Sequence, residues 1–383
     1  MDKFREVAVV ICIIFLFSLV LSSDRVLFAT AQGAVVATVT VGNSPYGVAY
    51  DSAKGEVFVA NGASNTVSVI SDGNNAVVKN IAIGGAPYGI AYDSSKGEVF
   101  VANGGSSNTV YVISDSGNAL VATVTLPVGA YPFGVAYDSA KGEVFVANRA
   151  FAATSGSNTV SVISDSDNTV VANVAVGNGP YAVAYDSSKG EIFVSNGYTN
   201  TVSVISDSDN TVVANVTVGN SPEGVAYDSA KGEVFIANGG DGTVSVISDS
   251  DNTVVATVTV GNSPDGVAYD SAKGEVFVPN YASNTVSVIS DSNNAVVATE
   301  TVGSGPYAVA YDSSKGEVFV ANGGTNTVSV ISDSASTSTP TTSPTIPEIT
   351  PLFAVATLIA ATCAIAIAIG KKTQSVKPTH FTT

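Results

Sequence analysis

A unit of about 42 residues is written seven times in succession, and this repetition constrains the fold more than any other feature. Its landmark prolines are Pro45, Pro87, Pro132, Pro180, Pro222, Pro264 and Pro306, spaced by 42, 45, 48, 42, 42 and 42 residues. Each is followed by a version of GVAYDSAKGEVFVAN, then NTVSVISD, then VVATVTVG. In the first unit, the runs 47–51, 56–61, 66–71 and 76–83 are rich in β-branched and aromatic residues. Clusters of Gly, Asn, Asp and Ser separate them, which marks them as strands. A period of roughly 40–45 residues with four strands per unit is the signature of a propeller blade. Apolar residues fall on both faces of each run, as they must when every sheet packs between two neighbours.

The ends of the array carry a second signal. The last unit stops at Asp333 without its fourth strand, while AVVATVTVG stands ahead of the first unit at 34–42. That segment matches AVVATETVG at 295–303 in all but one position. The expected fold is all-β: a seven-bladed β-propeller of four-stranded blades over 32–333. Its N-terminal strand is expected to complete the last blade, close the ring and remove two exposed sheet edges.

The flanking segments predict a membrane tether. Lys3 and Arg5 precede an apolar run over 7–21, and Ala29-Thr30-Ala31 offers a small-x-small cleavage site, so 1–31 reads as a secretory signal peptide. Residues 334–351 are rich in Ser, Thr and Pro and form the expected stalk. Residues 352–370 carry no charge and are long enough to cross a bilayer as a helix, with Lys371, Lys372 and Lys377 marking a cytoplasmic tail at 371–383. The expected location is the cell membrane, single-pass, with the propeller outside the cytoplasm.

Composition removes several chemistries. The body 32–333 holds 28 acidic against 9 basic residues, a field that repels phosphate backbones and makes nucleic acid an unsuitable partner. It contains no His, Cys or Trp, the one histidine being His380. Histidine-based triads, histidine-ligated metals, disulfides and cysteine nucleophiles are thereby excluded from the body. No glycine loop with a phosphate-binding lysine is present, and no cofactor is expected. The turns at 165–168, 207–210 and 249–252 read DSDN but lack the remaining ligands of a calcium loop, so they are expected to cap hairpins. Each repeated lysine, from Lys54 to Lys315, lies between acidic neighbours in its own turn and is expected to form a solvated local pair.

The run Phe58-Val59-Ala60-Asn61, followed by Asn65-Thr66-Val67-Ser68-Val69-Ile70, resembles the YVTN-type β-propeller repeat, with FVAN, FVSN, FIAN or FVPN in place of YVTN across all seven units. The resemblance implies a propeller of the kind common in archaeal surface-layer and other cell-surface proteins. Pro347-Glu348-Ile349 before the apolar segment also resembles archaeal C-terminal sorting signals, with Ile349 in place of the usual phenylalanine. The implied partners are cell-envelope proteins or carbohydrate.

Differences among the seven copies point to one face. The first turn is DSAKGE or DSSKGE in every unit, whereas all length changes fall in connections after the second and fourth strands. The largest insertion, in the third unit, includes Arg149 and Phe151. The residue after each landmark proline should ring the mouth of the central channel: Tyr46, Tyr88, Phe133, Tyr181, Glu223, Asp265 and Tyr307. Five are aromatic and two adjacent ones are acidic, a combination suited to a sugar or to a cation held by ring faces and opposite charge. These residues and the Arg149–Phe151 loop are the ligand-binding candidates of a binding or structural surface module. The alternative is a lactonase-like or carbohydrate-processing enzyme with Glu223 and Asp265 as its carboxylate pair. A third expectation is lattice assembly through the blade edges.

Overall fold

Seven four-stranded antiparallel sheets make up the computed structural model, which describes residues 33–105, 107–149 and 158–333. The segments expected to be a signal peptide (1–31), stalk (334–351), membrane span (352–370) and tail (371–383), together with Phe151, lie outside the described residues. Among the described residues, no helix is long and apolar enough to cross a membrane. In the first blade the strands run Pro45–Asp51, Glu56–Asn61, Thr66–Ser71 and Ala76–Ala82, in sequence order from the inside outward. The innermost strand thus begins at the landmark proline, two residues ahead of the sequence-based boundary. The seventh blade is Pro306–Asp312, Glu317–Asn322 and Thr327–Ser332, with Ala34–Thr40 paired antiparallel to Thr327–Ser332.

Between blades lies the apolar core. Seven hydrophobic clusters each draw on two neighbouring blades, with one fully buried phenylalanine per blade: Phe58, Phe100, Phe145, Phe193, Phe235, Phe277 and Phe319. One cluster joins Phe319 and Val330 of the seventh blade to Val57 and Val59 of the first.

At the axis the contact is backbone on backbone. A Cβ added to Gly89 would lie 2.0 Å from the carbonyl oxygen of Phe133 in the next blade, and one at Gly47 would lie 2.1 Å from that of Tyr88. Glycine there lets neighbouring innermost strands touch, and a methyl group would force them apart.

The uniform face is a belt of inter-blade locks. Each innermost strand ends in a fully buried aspartate, such as Asp51, whose Oδ1 accepts from the turn amides of Ala53 and Lys54. The turn lysine does not pair locally as its sequence neighbours suggested. Lys54 reaches Asp115 of the next blade at 3.6 Å, and Lys315 of the seventh blade reaches Asp72 of the first at 3.6 Å. The blade interface brings that aspartate closer than the flexible chain on either side of the lysine can bring its own.

The strand-ending tyrosine crosses the same interface. Where the preceding turn is DSSK, it donates to the turn serine, as Tyr50 does to Ser314 (2.9 Å) and Tyr137 to Ser95 (2.9 Å). It bonds the buried aspartate of that turn as well, and where the turn is DSAK, with no serine hydroxyl to meet, the aspartates remain its partners, as Asp51 and Asp115 (3.4 Å) are for Tyr92. In the DSDN turns, Asp165 pairs with Lys96 and Asp167 accepts from Thr169, so these side chains cap hairpins and join blades.

Each outermost strand carries a β-bulge at the same place. The residues skipped in the pairing register are Val36, Val78, Val121, Val171, Val213, Val255 and Val297. All are exposed, by 44–54%. A bulge twists an edge away from a flat pairing surface, a device that blunts edge-to-edge association.

Candidate functional site: the channel mouth

The residue after each landmark proline opens its innermost strand, so all seven converge at one end of the axis. The rings of Tyr307, Tyr46, Tyr88, Phe133 and Tyr181 form an unbroken arc, with successive centroids 4.6, 4.8, 4.7 and 4.4 Å apart. These are tilted and stacked contacts at the spacing aromatic pairs prefer, worth about 0.5–1.5 kcal/mol each beyond area burial. The arc therefore packs on itself rather than standing open. The cavity at its centre is about 130 Å³, lined by five of these rings, Asp265, and the adjacent glycines and alanines. That is well below the roughly 300–1,000 Å³ of ordinary small-molecule sites.

The two acidic members fill the gap between Tyr181 and Tyr307. Asp265, 8% exposed, accepts from the Tyr181 hydroxyl at 3.2 Å and shares a hydrogen bond with Glu223. Two carboxyl groups bond each other only when one of them holds a proton, so their contact and burial both favour protonation. Burial, followed by the Glu223 charge, raises Asp265 well above the usual carboxylate range. Burial likewise raises Glu223 to about 6. The Tyr181 hydroxyl is pushed well above its ordinary value by burial first and then by the Asp265 and Glu223 carboxylates.

The blade that carries Asp265 departs from the others in its second strand. In other blades a non-proline residue precedes the FVAN-type asparagine, whereas the sixth has Pro279, which has no N–H to give the ladder. Its innermost strand is Ala268–Asp270, and the Asp265 amide donates to the Pro279 carbonyl at 3.0 Å.

Arg149 lies over the Tyr181 end of the arc, with its guanidinium carbon 5.4 Å from the Phe133 ring centre, 5.0 Å from Tyr181 and 5.5 Å from Tyr198. The structure thus gathers Tyr46, Tyr88, Phe133, Tyr181, Glu223, Asp265, Tyr307 and Arg149 at one mouth. It adds two aromatics that sequence reasoning passed over: Tyr198 beside Arg149, and Tyr281, 4.8 Å from Tyr307. The signal for Tyr281 was present in the repeats. The position after the FVAN-type asparagine is Gly62, Gly104, Arg149, Gly197, Gly239, Tyr281 and Gly323, so the two non-glycine copies are both mouth residues.

No family model and no curated protein sequence matches this chain. Among solved structures, Kuenenia stuttgartiensis hydrazine synthase is similar at a TM-score of 0.66 and 16% identity, over 75% of this chain and 95% of that one. At that identity the likeness shows the propeller fold alone.

Proposed function

We propose that this protein is a membrane-anchored, extracytoplasmic β-propeller of the YVTN repeat type, serving as a cell-surface binding or structural module whose recognition face is the channel mouth. The contrast between its two faces carries this reading. One face repeats the same lysine, aspartate and tyrosine locks from blade to blade, while insertions, exposed tyrosines and the acid pair gather on the other. Insertions confined to one face of a repeat protein mark its binding face. The N-terminal strand is taken to seal the ring, so that the mouth is a continuous rim.

The leader, stalk and apolar segment read from the sequence place the body outside a single-pass anchor in this proposal, with a cell-envelope protein or carbohydrate as partner. A carbohydrate would meet the outer rims of Tyr198 and Tyr281, since the small central cavity leaves no room for a sugar ring. The bulged outer strands favour assembly through the mouth rather than through the blade edges. The enzymatic alternative is weakened by the acid pair itself. Glycosidase carboxylates stand about 5 Å or more apart to admit a sugar or a water between them, whereas Glu223 and Asp265 bond each other.

Surface biotinylation of intact cells, with retention on purified cell envelope, tests the reading. The full chain should label from outside, and the Tyr46→Ala, Tyr88→Ala double variant should be retained less. A chain shielded from the reagent, or retention unchanged by the double variant, refutes it.

A further inference from the structure

The structure points to an organic-cation site at the mouth: we propose that the box formed by Phe133, Tyr181 and Tyr198 receives a guanidinium or methylated ammonium group, and that Arg149 is its internal occupant, displaced when such a group binds. The inference rests on the mouth being the recognition face and names the chemistry it recognises.

The position of Arg149 aims any side chain onto the ring. At the equivalent glycines an added Cβ would come within 2.8 Å of the Tyr46 ring from Gly62, 2.5 Å of Tyr88 from Gly104 and 2.6 Å of Tyr307 from Gly323. Arg149 takes that path and ends 5.0–5.5 Å from three ring centres. Three ring faces within about 6 Å of one cation make an aromatic cage.

The charge that draws a cation there is also in place. The Glu223–Asp265 pair bonds to Tyr181, which is itself a wall of the box, and so sets two acidic groups beside it. Arg149 lowers the proton affinity of both acids through space. Yet among the described residues no ion pair within 4.0 Å joins it to either one.

Arg149 is a poorly satisfied tenant. Its Nε is buried without a partner, and its side-chain hydrogen bond to the Tyr198 hydroxyl is stretched to 3.5 Å. A guanidinium in water satisfies five N–H donors, and each buried donor left without a partner is a cost. The third wall opens outward: Tyr198 is 51% exposed on a loop of the following blade. A cation from solution can therefore enter from that side while Arg149 swings out to recover its hydration.

Two sources could supply the cation, a free small molecule or an arginine side chain of a partner. Calorimetric titration of the full chain with tetramethylammonium, ethylguanidinium and a short arginine-containing peptide separates them. Glycine stands at the Arg149 position in five of the seven repeats, so Arg149→Gly is compatible with the fold. It should bind tetramethylammonium about tenfold more tightly than the wild type, and adding Tyr198→Ala should remove that gain. A neutral isostere, neopentyl alcohol, should bind neither form. A peptide at least tenfold tighter than ethylguanidinium marks a protein side chain as the source, and equal affinities mark a free cation.

The proposal is overturned if Arg149→Gly fails to bind tetramethylammonium, or binds it no better than the isostere, while the variant keeps its wild-type melting temperature. It is overturned equally if Tyr198→Ala leaves the affinity unchanged. If the cation arm fails while the Tyr46→Ala, Tyr88→Ala variant still loses envelope retention, the mouth remains a recognition face for another chemistry.

Discussion

Replacing Glu223 with glutamine should remove one identifiable component of the protein's pH-dependent stability. Burial raises the Glu223 carboxyl from 4.5 to about 6 in the folded chain, so the fold favours its protonated form. Below about pH 4.5 the group is protonated in both folded and unfolded chains, and no penalty applies. As pH rises from there to about 6, the unfolded chain releases the proton first, which stabilises unfolding. Above about 6 both states are ionised and the penalty is constant.

The shift of about 1.5 units corresponds to on the order of 2 kcal/mol lost across that window. Asp265 is raised in the same direction and extends the loss upward in pH. Glu98, Glu143, Glu191, Glu233, Glu275 and Glu317 are raised as well, each chiefly by burial, so the wild-type slope is a sum. The difference between wild type and Glu223→Gln cancels that background, and the amide can still donate to Asp265. Urea unfolding of residues 33–333 at pH 4.5 and pH 7, followed by far-UV circular dichroism, measures it. The variant should gain about 2 kcal/mol on the wild type between those two values, with m unchanged. Parallel pH profiles for the two proteins would refute the buried, proton-sharing pair.

Three further outcomes follow from the packing. Gly89→Ala should lose about 1–3 kcal/mol, because its methyl group would meet the Phe133 carbonyl at 2.0 Å, while Gly117→Ala, with nothing within 4 Å, should be close to neutral; equal melting temperatures would remove the axial backbone contact as a constraint. Lys54→Gln should lose no more than about 1 kcal/mol, and less in 1 M salt, since the lysine is 36% exposed and the pair is screened. A salt-independent loss of several kcal/mol would contradict that. Deleting residues 33–40 should uncover the edge of Thr327–Ser332, so amide exchange there should accelerate and the body should self-associate; unchanged exchange would mean that this strand does not seal the ring.

Much of this molecule was legible in the repeat, and the reasons are local. Alternation and turn chemistry gave the second and third strands of the first blade to the residue, because hairpins form between chain neighbours. The first turn ends, as its glycine suggested, in a residue at positive φ, Gly55 at 66°. The copy of AVVATVTVG ahead of the first unit located the missing strand of the seventh blade. Comparing the seven units was enough to nominate eight residues that meet at the mouth.

What the chain order could not express is contact between units. Lys54 lies next to Asp51 and Glu56 in sequence, yet it reaches Asp115, because blade packing brings that side chain across the interface. Glu223 and Asp265 are one repeat apart, and only the packing of the fifth blade on the sixth brings their carboxyl groups together. The five aromatic residues of the mouth are a repeat apart in the chain but stack at 4.4–4.8 Å, since neighbouring innermost strands converge at the axis. The period of the sequence determined what each blade is. The narrowing of seven blades towards a common axis decided which of their residues touch, and therefore what the mouth can bind.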